Sequence, residues 1–343
     1  MSELEDTRRE EETVRKLLAD AGPRPSIPDE DLAAITEAAR AVWHRRYGEG
    51  RAPVRRAWWW GGLAAAAALA VALGLAWWLR TLEPPPETPL VASVEVLTGT
   101  VRMWKPGGEG PVPLPPGALG RPLPAGAELE TGDAGHLALR MAGGSVRLDA
   151  GTRIRLSSAK SIDLERGAVY VDSGAAPGAM AVQAPNGLFQ DIGTQFEVRI
   201  EGEGARAVTR LRVREGHVAL QRPDGPVVTG VGEELVLHAD GRIDRAQATI
   251  YGPEWDWVLQ TAPRLDIEGV KVRAYLDWLG RETGWQIEFA DQKAAALSDS
   301  TVLHGSIEHL SPAETPGVVL ASCGLGHRVS GGRMIVFVAD EER

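Results

Sequence analysis

Phe196-Glu197-Val198-Arg199-Ile200 alternates apolar and charged side chains without a break. Successive side chains on a strand point to opposite faces, so this run predicts a half-buried strand with one apolar and one charged face. The same pattern recurs upstream in Leu137-Ala138-Leu139-Arg140-Met141, Val146-Arg147-Leu148 and Ile154-Arg155-Leu156. Turn signals separate such runs: Gly143-Gly144-Ser145, Asn186-Gly187, Asp224-Gly225 and Asp240-Gly241. The expectation is an all-β region from Val91 to about Ile243, taken as a domain over 91–250, either a sandwich or solenoid-like.

A weak internal repeat supports this. Val96-Leu97-Thr98-Gly99-Thr100-Val101 returns as Leu164-Glu165-Arg166-Gly167-Ala168-Val169 and as Val213-Arg214-Glu215-Gly216-His217-Val218. In each, a strand reaches a glycine and a new strand begins with valine two residues on. Glycine is expected there because it adopts positive φ without steric cost.

Past residue 250 the period changes. Val272, Tyr275, Leu276 and Leu279 fall at helical spacing and Gly284 is a stop signal. Strands are expected at Trp285–Phe289, Val302–Ile307 and Arg333–Val338. Ser311-Pro312-Ala313-Glu314 reads as a capping box opening a helix to about Cys323. Residues 264–339 are therefore expected to form a small α+β domain of two strand–helix–strand units.

On the other side of the β region, residues 57–79 carry no charge, and tryptophans bracket them at Trp58–Trp60 and at Trp77 and Trp78. About 20 apolar residues suffice to span a bilayer and indoles favour its interface, so a transmembrane helix is expected. Arg40, Arg45, Arg46, Arg51, Arg55 and Arg56 precede it, which predicts a cytoplasmic N-terminus and exported C-terminal domains in a single-pass membrane protein. Glu83 to Pro89, with Pro84-Pro85-Pro86, reads as a stiff spacer within 80–90. The expected fold class is thus a multi-domain membrane protein. It has a short helical cytoplasmic tail (1–56), one transmembrane helix (57–79), an all-β periplasmic domain and a small C-terminal α+β domain.

Within the tail, Leu32, Ile35, Ala39, Val42 and Trp43 lie at offsets that put them on one helical face. Such a short helix cannot bury its own stripe. Two readings stand: a solvated flank of the anchor, or a docking helix that binds a partner through Leu32, Ile35 and Trp43.

Composition narrows the chemistry. The net charge of −10 over 343 residues argues against direct nucleic-acid binding. Cys323, the single cysteine, excludes an intrachain disulfide and sits in an apolar setting. No P-loop, Gly-x-Ser-x-Gly or His-Glu-x-x-His motif occurs, and His304 and His309 fall on opposite faces of a predicted strand end. No enzyme, metal site or cofactor is expected.

Asp191-Ile192-Gly193-Thr194-Gln195-Phe196-Glu197-Val198 and Leu211-Arg212-Val213-Arg214-Glu215-Gly216-His217-Val218 resemble the Gly-Thr-x-Phe-x-Val strand and Val-x-Glu-Gly-x-Val hairpin of the FecR family. Gly144-Ser145-Val146-Arg147-Leu148 is similar to that family's Asp-Gly-Ser element, with Gly143 where Asp is usual. The resemblance covers roughly Ser93 to Ile243. Residues 264–339 resemble the secretin/TonB short N-terminal domain through Trp278-Leu279, Thr283–Ile287, Leu303-His304-Gly305 and Gly324-Leu325-Gly326. There Pro312 and Pro316 imply a short or irregular second helix.

The resemblance implies a regulator that relays a periplasmic signal to a cytoplasmic extracytoplasmic-function sigma factor, held or activated by the tail. Its outer partner would be the signalling domain of an outer-membrane TonB-dependent transporter. The rival reading is an envelope scaffold with an inert tail. Some FecR-like regulators also cleave themselves at this Gly-Thr, here Gly193–Thr194. With no base evident beside Thr194 in the sequence, the plainer reading of Gly193 is a strand bulge.

Overall fold

The computed structural model describes residues 33, 36–42, 88–142, 144–174, 180–202 and 204–339. The chain divides into two units, residues 1–85 and 86–343. In the first, Ala33 and residues 36–42 are helical, and the Thr36 hydroxyl donates to the Ala33 carbonyl at 3.0 Å. Leu32, Ile35 and Trp43 lie outside the described residues.

The expected fold class needs correction on one point. Among the described residues no helix is long and apolar enough to cross a membrane. The span expected over 57–79 falls outside them, so a one-helix membrane architecture has no support in the fold. What is described is mostly sheet.

The second unit begins with 17 strands, from Leu90–Thr98 to Ile243–Gln247. Their pairings separate them into two sheets that share the long strand Ser161–Asp172. Its first half pairs with Arg153–Ser158 in one sheet. Its second half pairs with Gly144–Leu148 and Gln195–Glu201 in the other. Side chains from both sheets meet in one apolar core that includes Val146, Val171, Phe196, Val198, Leu156, Ile162, Phe189 and Leu220. Of the two architectures expected from the sequence, this is the sandwich. The turns expected at Asn186-Gly187, Asp224-Gly225 and Asp240-Gly241 each join adjacent antiparallel strands, and Gly144 and Ser145 open the strand that pairs with His136–Met141.

The three repeat glycines have positive φ: +63° at Gly99, +81° at Gly167 and +73° at Gly216. They do not turn hairpins. Val208–Glu215 pairs within one sheet, and His217–Gln221, after Gly216, pairs within the other. The repeat therefore marks corners where the chain crosses between sheets, a sharp change of direction that only a residue free of Cβ makes at low cost.

The C-terminal module has its own core, built on Tyr275, Leu276, Leu279, Leu320, Met334 and Val336. Helix Val272–Thr283 ends at Gly284 in the left-handed conformation, φ 73°, as its spacing predicts. Strand Gln286–Phe289 follows, parallel to Arg333–Val338, which is itself antiparallel to Leu325–Ser330.

Two expectations for this module fail. Residues 302–307 form no strand, only an isolated bridge from Val302 to Lys271. The intervening chain instead forms helix Gln292–Ser300, capped by the Asp291 carboxylate, which accepts from the Ala294 amide at 2.7 Å. The last helix begins at Thr315, not at Pro312. Ser311 and Glu314 do pair, but the Glu314 carboxylate accepts both the Ser311 amide (2.9 Å) and hydroxyl (2.8 Å), which closes a turn ahead of the helix.

Candidate functional site: the Gly193–Thr194 turn and the charged face beside it

The segment Asp191–Gln195 is itself a crossing between sheets, since Gly187–Asp191 belongs to one and Gln195–Glu201 to the other. Gly193 sits at φ +75° with open space on its Cα side, and Ile192 beside it is 59 % exposed. Thr194 is the opposite: it is buried at 1 % exposure. Its amide donates to the Ser173 hydroxyl at 2.8 Å, and its carbonyl accepts the Ser173 amide and hydroxyl, both at 3.1 Å. The Thr194 hydroxyl donates to Oδ1 of Asp191 in a short contact. The other Asp191 oxygen, Oδ2, is buried without a hydrogen-bond partner.

The turn thus presents an accessible peptide on the Gly193 side and a fixed hydroxyl facing a carboxylate on the Thr194 side. Sequence reasoning found Gly193 and Thr194 and missed Asp191 and Ser173. Asp191 stood three residues before Thr194 in the same motif. Ser173 is 21 positions away and gave no signal.

One residue further on, Gln195 ties the turn to the C-terminal module. Its Nε2 donates to Asp172 Oδ2 at 3.0 Å and to the Arg281 carbonyl at 3.2 Å. Arg281 in turn pairs with Asp172 in a short contact and with Glu215 at 2.7 Å. Burial alone would raise the Asp172 carboxyl, but the Arg281 guanidinium and the Gln195 amide outweigh it and hold it below the usual carboxylate range.

The charged face of the Phe196–Ile200 strand is not the solvated face that alternation suggests. Arg147 is 1 % exposed and grips Glu282 with two bonds, Nη1 at 2.7 Å and Nη2 at 2.9 Å. Its Nη1 also donates to the Val258 carbonyl at 3.0 Å. Glu197 is buried at 1 % exposure and accepts from Arg199 at 2.7 Å and from the Trp257 indole at 3.3 Å. Burial is the largest influence on Glu197 and lifts its carboxyl above the usual range despite Arg199 and Arg212. Tyr170, also buried, is pushed up to about 12, chiefly by burial.

Covering this face are Trp255, Trp257 and Val258 of residues 248–263, the connector between the β-domain and the C-terminal module, which pack on Ala168 and Tyr170 as a small cluster apart from both cores. Arg214, 3 % exposed, lies over the Trp255 ring at 5.0 Å and donates from Nε to the Ile250 carbonyl at 2.7 Å. Beside this joint, a cleft of about 600 Å³ separates the sheet edge at Val96 and His136 from Arg264, Trp278 and His309 of the module.

Corner glycines, a two-sheet core and the Gly-Thr crossing define a structural β-domain whose conspicuous features are a turn and a clasp. Residues 127–219 match the FecR protein family, so this part of the chain is a FecR domain. Two crystal structures of a candidate anti-sigma factor from Parabacteroides distasonis ATCC 8503 also align with the chain. The 2.50 Å structure is 17 % identical with a TM-score of 0.33, and the 1.65 Å structure is 16 % identical with a TM-score of 0.34. Each alignment covers 61 % of this chain and 97 % of the other. No curated protein matches the chain.

Proposed function

We propose that this chain regulates a sigma factor. The FecR domain over 127–219 carries the reading, and the description of the aligned Parabacteroides protein agrees with it. In this reading residues 86–343 receive the signal and the N-terminal segment holds an extracytoplasmic-function sigma factor through Leu32, Ile35 and Trp43. The resemblance at 264–339 supports a TonB-dependent transporter's signalling domain as the source of that signal.

The test is co-purification of the full chain from its native host, with peptide identification of what it retains. Wild type is expected to bring down a sigma factor and a Leu32→Ala, Trp43→Ala variant to lose it. No recovery from wild type would favour the scaffold reading with an inert tail, and equal recovery from both would overturn docking through Leu32 and Trp43.

A second reading rests on Asp191. With its carboxylate on the Thr194 hydroxyl, the turn has the parts for self-cleavage. Thr194 Oγ would attack the Gly193 carbonyl carbon while its proton passes to Asp191. The Gly193–Thr194 C–N bond would then break as the Thr194 nitrogen takes up a proton, leaving an ester that water hydrolyses to the Gly193 carboxylate and the free hydroxyl.

Because the flanking strands are held in different sheets, the halves would stay associated until denatured. Denaturing immunoblots should show two bands for wild type and for Thr194→Ser, and one for Thr194→Ala and Asp191→Asn. A single full-length band in wild type ends this reading.

A further inference from the structure

The joint between the FecR domain and the C-terminal module is built unlike either core. Each part has its own apolar core, and among the described residues the one apolar cluster between them comprises Ala168, Tyr170, Trp255, Trp257 and Val258. The remainder of the joint is polar: the ion pairs of Arg147 with Glu282 and of Arg281 with Asp172 and Glu215, and hydrogen bonds from Arg147 to the Val258 carbonyl and from Gln195 to the Arg281 carbonyl.

Burying such pairs costs desolvation of both partners, which their attraction offsets only partly. Arg147 and the neighbouring Arg214 are also incompletely satisfied: Nε of Arg147 and both Nη atoms of Arg214 are buried without a hydrogen-bond partner. On separation every one of these groups regains water, so opening recovers solvation that closure forfeits. The cleft of about 600 Å³ along the same seam leaves this side of the joint unfilled. A joint this polar has the character of a transient interface rather than of a core cut in half.

We propose that the C-terminal module is a releasable cover, clasped over the FecR domain by Arg147–Glu282 and by Arg281 with Asp172 and Glu215. Opening frees Gln195 from the Arg281 carbonyl and so loosens the adjoining Gly193–Thr194 turn. It also uncovers Arg147, Tyr170, Glu197 and Arg214 on the sheet face. Both cores stay folded throughout. The connector helix Asp256–Gln260, too short to persist unpacked, unravels when the module lifts. This inference goes beyond the sigma-factor reading and does not depend on it.

Hydrogen exchange on the purified full chain tests it, comparing amides of 254–262 with those of core strands at 211–213 and 334–336. In wild type the connector amides should exchange far faster than both sets of core amides. Glu282→Gln strands the Arg147 charge and should speed connector exchange by roughly a hundredfold with the core strands unchanged.

The apolar pair Arg147→Met with Glu282→Leu should act in the opposite sense and slow it, because the joint then closes without desolvating charge. Connector amides as slow as the cores in wild type would overturn the proposal. So would all three regions accelerating together in Glu282→Gln, since the joint would then belong to one cooperative unit. Faster connector exchange in the apolar pair would overturn it as well.

Discussion

Gly216→Ala is expected to lower the melting temperature of the protein by roughly 6–12 °C, from a loss of about 3 kcal/mol spread over a unit of this size. Two costs add. At φ +73° a Cβ-bearing residue is strained by about 1–2 kcal/mol. The new methyl would also sit 2.3 Å from the Gly193 carbonyl oxygen and 2.8 Å from Thr194 Cγ2. Backbone oxygen cannot step aside as a flexible side-chain tip would, so the Gly193–Thr194 turn must move.

Gly120→Ala separates the two costs. That residue has φ +74° and open space where a Cβ would go, so only the conformational penalty applies. Calorimetry of the two variants should show the larger drop at Gly216. Equal drops would mean that the close approach to Gly193 has no energetic weight.

Trp255→Ala is the second large effect, with an expected cost of about 3–5 kcal/mol. The indole is 1 % exposed and meets Tyr170 edge-on at a centroid distance of 6.0 Å. Its Nε1 donates to the Thr249 carbonyl at 3.0 Å. It also supplies the ring beneath Arg214, whose Nη atoms have no other partner, so truncation removes the main compensation for a buried cation.

Trp255→Phe keeps most of the apolar contact and loses the indole donor, so it should cost only about 1–2 kcal/mol. Urea titration resolves the series. A Trp255→Ala midpoint equal to wild type would show that the connector contributes nothing to the stability of this unit.

Much of the FecR domain could be read in the chain because its rules are local. Apolar alternation at Phe196–Ile200 and Val146–Leu148 needs only the two-residue period of a strand. The repeat at Gly99, Gly167 and Gly216 marked backbone positions of positive φ. What neighbouring residues could not say is that these glycines turn between sheets rather than between hairpin strands, because partner strands are chosen by the whole core. Helix Val272–Thr283 announced itself by spacing and a terminal glycine. Helix Gln292–Ser300, with little apolar periodicity to mark it, did not.

The candidate site divides in the same way. Gly193 and Thr194 stood out as a motif, and Asp191 was near enough to have been noticed, but a carboxylate three residues off acts on a hydroxyl only if the turn folds it back. Arg147, Glu197 and Glu282 gave no sign of burial. On a strand an outward charge means solvent unless something covers it, and the cover comes from far along the chain: Trp257 lies 60 residues after Glu197 and Glu282 lies 135 after Arg147.

The sequence by itself determined the alternating strands of the β region, the corner glycines, the first helix of the C-terminal module and the Gly-Thr crossing, since each follows from φ/ψ preference and side-chain period within a few residues. Only the tertiary structure decided which sheet each strand joins, that Thr194 faces Asp191, and that the charged face is clasped shut. Those outcomes depend on long-range packing and on the desolvation of charges that no local pattern encodes.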